Sequence, residues 1–126
     1  MIRWALVVFL FAHGWVHLVV WGVIPSMAPE GMKPAHSWIL GDNRGVADLM
    51  SLVAAALFAV AALGLAVGAG WWGPVAVAGG AASMLLVALF PAALLSAWVL
   101  VPGAINAALI VGITWLQWPA TQSLGG

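Results

Sequence analysis

The chain has 126 residues, 66% of them hydrophobic and 5% charged, with three basic and three acidic side chains and no cysteine. A soluble domain carries roughly 25% charged residues, so this surface is expected in lipid rather than in water. Zero net charge leaves no electrostatic footprint for nucleic acid, and the lack of cysteine excludes disulfides, thiolate catalysis, thiolate metal sites and iron–sulfur clusters.

The first apolar run, 2–24, exceeds the ~20 residues needed to cross a ~30 Å hydrocarbon core. Pro25 stops it. The run is longer than a signal-peptide core of roughly 7–15 residues. Pro29 would also directly follow a cut after Ser26-Met27-Ala28, so a retained helix is expected. A polar loop, 25–43, follows with Pro25, Pro29, Pro34, Gly31 and Gly41. Asp42 or Asn43 can cap the second helix, 44–67, because a short side-chain oxygen satisfies an orphan N–H. A turn over 68–73 leads to a third helix, 74–90, with Pro74 in the tolerant first turn. The fourth covers about 97–118. It enters near Leu95 with a kink at Pro102, or starts at Pro102 itself, and ends before Pro119.

The predicted fold class is all-α, a single four-helix transmembrane bundle with both termini on one side. Tryptophan favours the membrane interface, which tests that layout. Four spans put Trp4, Trp71, Trp72, Trp115 and Trp118 at one face and Trp21, Trp38 and Trp98 at the other, leaving Trp15 deep. Basic residues do not set the orientation: Arg3 and the α-amino group stand against Lys33 and Arg44. Small residues recur at spacing four in Gly64 and Gly68, in Ala76 and Gly80, and in Ala104, Ala108 and Gly112. Such rows let helices approach closely, within one bundle or between copies.

Polar groups in a bilayer face the bundle interior and pair with one another. His13 and His17 share a stripe of the first helix, continued by Trp21; Arg44, Asp48 and Ser51 share one on the second. The third helix offers Ser83 and the fourth Asn106. At 1.5 Å per residue, most of these lie roughly 6–12 Å below the loop face, with His13 deeper at about 18 Å. One polar pocket over an apolar base is expected from His13, His17, Arg44, Asp48, Ser51, Ser83 and Asn106. Asp48 can pair with Arg44 one turn away, or accept a hydrogen bond from His17 and fix its tautomer. Either histidine can equally be interhelical glue.

Spacing four would suit zinc or copper if Asp48 or His36 supplied a third ligand, with Met27 and Met32 favouring copper(I). His13, His17 and Asp48 are weak metal candidates, since two histidines four apart are common. Bis-histidine haem needs axial ligands on opposite faces, so one helix cannot supply it within a monomer. Glu30, Lys33, His36 and Trp38 are expected to be solvated or interfacial. No phosphate loop, nucleophile elbow or HExxH motif is present.

Arg3 opening the first helix, the segment Gly14-Trp15-Val16-His17-Leu18, the acidic Asp48 and the run Leu63-Gly64-Leu65 together resemble the DoxX-like small membrane proteins. They also resemble the four-helix proteins of high-GC bacteria loosely labelled permeases. The resemblance covers most of the chain through short motifs. It implies a bacterial inner-membrane protein with its termini inside, and His17 and Asp48 as an intramembrane polar pair. It also implies the roles of such relatives, either a subunit of a membrane redox complex that delivers electrons to quinone or a partner in thiol and oxidative stress responses. Asp48 stands where such relatives have Glu, and the absence of cysteine moves any redox step to a partner or bound cofactor.

The expected function is therefore an accessory subunit or small-ligand component of a membrane redox complex, with quinone as the candidate ligand. The expected partners are the lipid bilayer and a larger membrane complex or homo-oligomer. The alternatives are a structural or assembly protein without a site of its own, and a transporter component acting as an oligomer, since 126 residues are few for an inverted-repeat transporter.

Overall fold

The computed structural model describes residues 1–21, 33–91 and 100–119. It is an all-α bundle of four helices: α1 (Ile2–Val20), α2 (Arg44–Ala66), α3 (Trp72–Leu89) and α4 (Leu100–Thr114). Before α2 lies a small antiparallel hairpin of β1 (His36–Ser37) and β2 (Gly41–Asp42), with His36 opposite Asp42. The sequence predicts only an irregular loop there. The hairpin closes on Ser37, whose buried hydroxyl accepts the N–H groups of Ile39 and Leu40.

Helices α1, α2 and α3 are long and apolar enough to cross a membrane; α4 is a shorter apolar helix of 15 residues. Helix α1 packs on α2, α2 on α3 and α3 on α4. Two apolar cores lie at different heights. Leu10, Phe58, Ala61, Leu65 and Ala76 form one; Trp21, Ala47, Leu86, Val87 and Phe90 form the other. Large apolar side chains also cover the outside, among them Val8, Phe11, Leu49, Leu63 and Leu85. Water would not tolerate so much contiguous apolar surface, and a lipid environment does.

Helix boundaries follow the capping chemistry. Of the two candidate caps, Asn43 serves α2, its side-chain oxygen accepting the Val46 N–H at 3.1 Å. Helix α2 ends in a Schellman motif, with Ala69 N–H bonded to Gly64 O and Gly68 N–H to Leu65 O. Gly68 takes the required left-handed φ of 72°. Pro74 falls in the first turn of α3, where its missing N–H is tolerated.

Several helix ends differ from the predicted ones. Helix α1 stops at Val20, before the predicted 24, because Trp21 turns inward and donates its indole N–H to Phe90 O at 3.2 Å. Trp21 is thus buried against the bundle. Helix α4 ends at Thr114 instead of 118, where Trp115 and Leu116 both bond back to Val111 O and Gln117 adopts a positive φ of 50°. Helix α3 starts two residues early and ends one early. The predicted stop at Pro25, the position of Trp98, the start of α4 before Leu100, and Met27, Glu30, Gly31 and Met32 lie outside the described residues.

Several small residues serve packing within the chain. A Cβ on Gly64 would come within 2.5 Å of the Trp71 ring, and one on Gly80 within 3.2 Å of Ile110 on α4. Ala76 is buried in the first core. Ala104 and Ala108, by contrast, lie exposed on α4.

Candidate functional site

The polar site begins with a close helix approach. A Cβ on Gly14 would meet Phe58 Cβ at 3.0 Å and Ala55 O at 3.1 Å, so glycine lets α1 settle against α2. Phe58 then lies edge-on to the His13 ring at 4.8 Å and stacked on the His17 ring at 5.7 Å. Phe9 stacks on His13, and Trp21 on His17. The two imidazoles are boxed by aromatic faces on their own helix and on α2.

From that box the histidines reach α3 and α4. His17 Nδ1 donates to His13 O, one turn back, at 2.8 Å. That contact fixes the tautomer: in the neutral ring Nε2 carries no hydrogen and accepts. Ser83 Oγ therefore donates to His17 Nε2, at 2.6 Å. Asn106 Nδ2 donates to the same Ser83 Oγ at 2.7 Å. Asn106 Oδ1 accepts from His13 Nε2 at 3.0 Å. The result is a closed loop in one direction: His13 side chain to Asn106, to Ser83, to His17, to the His13 carbonyl. Chains of this kind polarise one another in a low dielectric and strengthen each bond. His17, Ser83 and Asn106 are each at most 1% exposed.

The single seven-residue pocket predicted from the sequence is not what forms. Ser83 and Asn106 join the histidines, but Arg44, Asp48 and Ser51 do not. Arg44 Nε lies 3.1 Å from Asp48 Oδ1 and 3.2 Å from Oδ2, with only the second contact in hydrogen-bonding geometry. This pair is i,i+4 on α2 and partly exposed. The predicted alternative, Asp48 accepting from His17, is absent, because His17 already has both ring nitrogens engaged. Ser51 is buried but donates to Asp48 O of its own helix at 2.8 Å. Helical periodicity put Asp48 on the right helix at a similar depth, but its azimuth carries it away from the histidines.

The weak metal set of His13, His17 and Asp48 is likewise not assembled. Among the described residues no group of three metal-ligating side chains occurs. His36 instead pairs with Asp42 across the hairpin at 2.7 Å. Ser83 with His17 has the form of an activated nucleophile and its base. Ser83 is fully buried, however, and its oxygen also accepts from Asn106, so no face is left for a substrate. A quinone head has the same difficulty, since the groups that would bond it are bonded to one another.

Sequence reasoning missed Phe58, Phe9 and Gly14. Phe58 was visible as the single aromatic residue in the alanine-rich run 54–62. Its role depends on helix azimuth, which no local pattern gives. No family model matches the chain, and neither a curated protein nor a solved structure matches it.

Proposed function

We propose that the protein is a small multi-pass scaffold of a bacterial cell membrane, an accessory or assembly subunit whose interior is committed to its own fold. Both termini share one side, and its contacts are made from its outer faces, with lipid and with a larger membrane complex or another copy. The observation that carries this is the closed loop of His13, Asn106, Ser83 and His17, in which the deep polar groups satisfy one another. The DoxX-like resemblance in Arg3, Gly14–Leu18 and Asp48 agrees with such a role.

A second reading, the small-ligand component of a redox complex with quinone as ligand, draws on an apolar groove of about 320 Å³ between α1 and α2. It does not draw on the histidines. Native mass spectrometry in mild detergent, with an absorption spectrum of the same sample, separates the two. The scaffold reading expects no quinone at stoichiometry. It also expects His17→Ala to lower the unfolding midpoint and to weaken any assembly in step with it. A stoichiometric quinone, or an unchanged midpoint in His17→Ala, would overturn it.

A further inference from the structure

The outer face of α2 joins a charged end to an apolar groove. At 100° per residue, Arg44, Asp48, Leu52, Ala55 and Ala59 fall on one stripe of the helix. Leu52, Ala55 and Ala59 form one wall of the 320 Å³ groove, and Gly14, Trp15 and Leu18 of α1 form the other. The absence of a side chain at Gly14 helps make its floor. Above the stripe, Arg44 also borders a polar cup of about 390 Å³ with Lys33, His36 and Asp42. Arg44 to Leu52 spans about 12 Å and Leu52 to Ala59 about 11 Å more. That distance covers a headgroup region and the ~15 Å of hydrocarbon in one leaflet.

The charges select the head. The Asp48 carboxylate receives one hydrogen bond, from Arg44 to Oδ2; its Oδ1 is buried 3.1 Å from Arg44 Nε without hydrogen-bonding geometry, and the side chain as a whole stays 29% exposed. An ionised carboxylate accepts from up to about four directions, so this one is short of donors. Beside it, Arg44 and Lys33 offer cations where lipid phosphates lie. We propose that this strip holds one phospholipid whose head joins a primary ammonium to a phosphate. The ammonium lies at Asp48, the phosphate at Arg44 and Lys33, and one acyl chain runs in the α1–α2 groove. The zwitterion lies antiparallel to the Arg44–Asp48 pair, so each charge meets its opposite. A head carrying only phosphate would set like charge against Asp48. A quaternary ammonium has no N–H to give the carboxylate. A quinol has donors but no anion for Arg44 and Lys33. The proposal needs the chain to lie in a bilayer but does not depend on the scaffold role.

The test is native mass spectrometry of the full chain after exchange into equal parts phosphatidylethanolamine, phosphatidylcholine and phosphatidylglycerol. One phosphatidylethanolamine should survive activation that strips the other two. Asp48→Asn should cut that preference about tenfold, the scale of one lost charge-assisted hydrogen bond, with the unfolding midpoint unchanged. Ala56→Phe, which fills the groove, should lower retention of every lipid. Equal retention of all three heads, or an undiminished preference in Asp48→Asn, would overturn the proposal. A lipid-free dimer cross-linked through Trp15 would overturn it in favour of a second copy, and a retained quinol would overturn it in favour of that ligand.

Discussion

Asn106 on α4 accepts a hydrogen bond from His13 on α1 at 3.0 Å, joining two helices whose backbones scarcely meet. The same amide donates to Ser83 on α3, so one side chain ties the end of the bundle to its beginning and its middle. In lipid, where apolar surfaces gain nothing by leaving the solvent, such bonds and close packing hold helices together.

Asn106→Leu should therefore be the most damaging change on α4. It removes two interhelical bonds and leaves His13 Nε2 and the Ser83 hydroxyl each short of one partner. A loss of about 1–3 kcal/mol is expected from the stranded polar groups. Unfolding by SDS titration in mixed micelles measures it. A variant as stable as the parent would show that the loop contributes nothing to the fold.

The bond between His17 and Ser83 can be isolated by a double-mutant cycle with His17→Ala and Ser83→Ala. Interhelical hydrogen bonds in membranes average about 0.6 kcal/mol and reach about 1.7 kcal/mol, and a coupling in that range is expected. His17→Ala alone should cost more than Ser83→Ala, because it also empties the space between Phe58 and Trp21. Additive effects would mean that the two residues act separately.

Gly64→Ala should destabilise the α2–α3 corner, since the new Cβ would stand 2.5 Å from the Trp71 ring. Overpacking of this sort costs about 1–3 kcal/mol. Trp71→Ala should suppress the defect, because it removes the atoms that clash. The melting temperatures of the two single variants and the double variant decide it. Failure of the second substitution to rescue the first would place the strain elsewhere.

Arg44→Ala should leave stability nearly unchanged. Its partner Asp48 is one turn away and both side chains are partly exposed, at 43% and 29%, so screening reduces the pair to about 0.5 kcal/mol or less. The same unfolding titration tests this. A loss as large as that of Asn106→Leu would return Arg44 to the inner network.

The histidine pair illustrates what could be read without coordinates. Spacing four put His13 and His17 on one inward stripe, and the depth count put Ser83 and Asn106 beside them. The same arithmetic also admitted Asp48 and Ser51, because depth along a helix axis says nothing about rotation around it. Hydrogen bonds to Asp48 O and from Arg44 keep those two residues on α2, and only the packed neighbours reveal that.

By itself, the sequence determined the environment and the parts: four apolar helices, proline and glycine at their ends, a cap at Asp42 or Asn43, and a few polar residues on each helix. These are local properties of composition, period and backbone chemistry. The tertiary structure decided the partners. Gly14 sets how closely α1 meets α2, and Phe58 fixes the faces of both imidazoles. Trp21 ends α1 by turning inward to Phe90, and a hairpin orders the loop before α2. Each of these depends on helix rotation and approach, which follow from the summed packing of residues distant in sequence and are not written in any single segment.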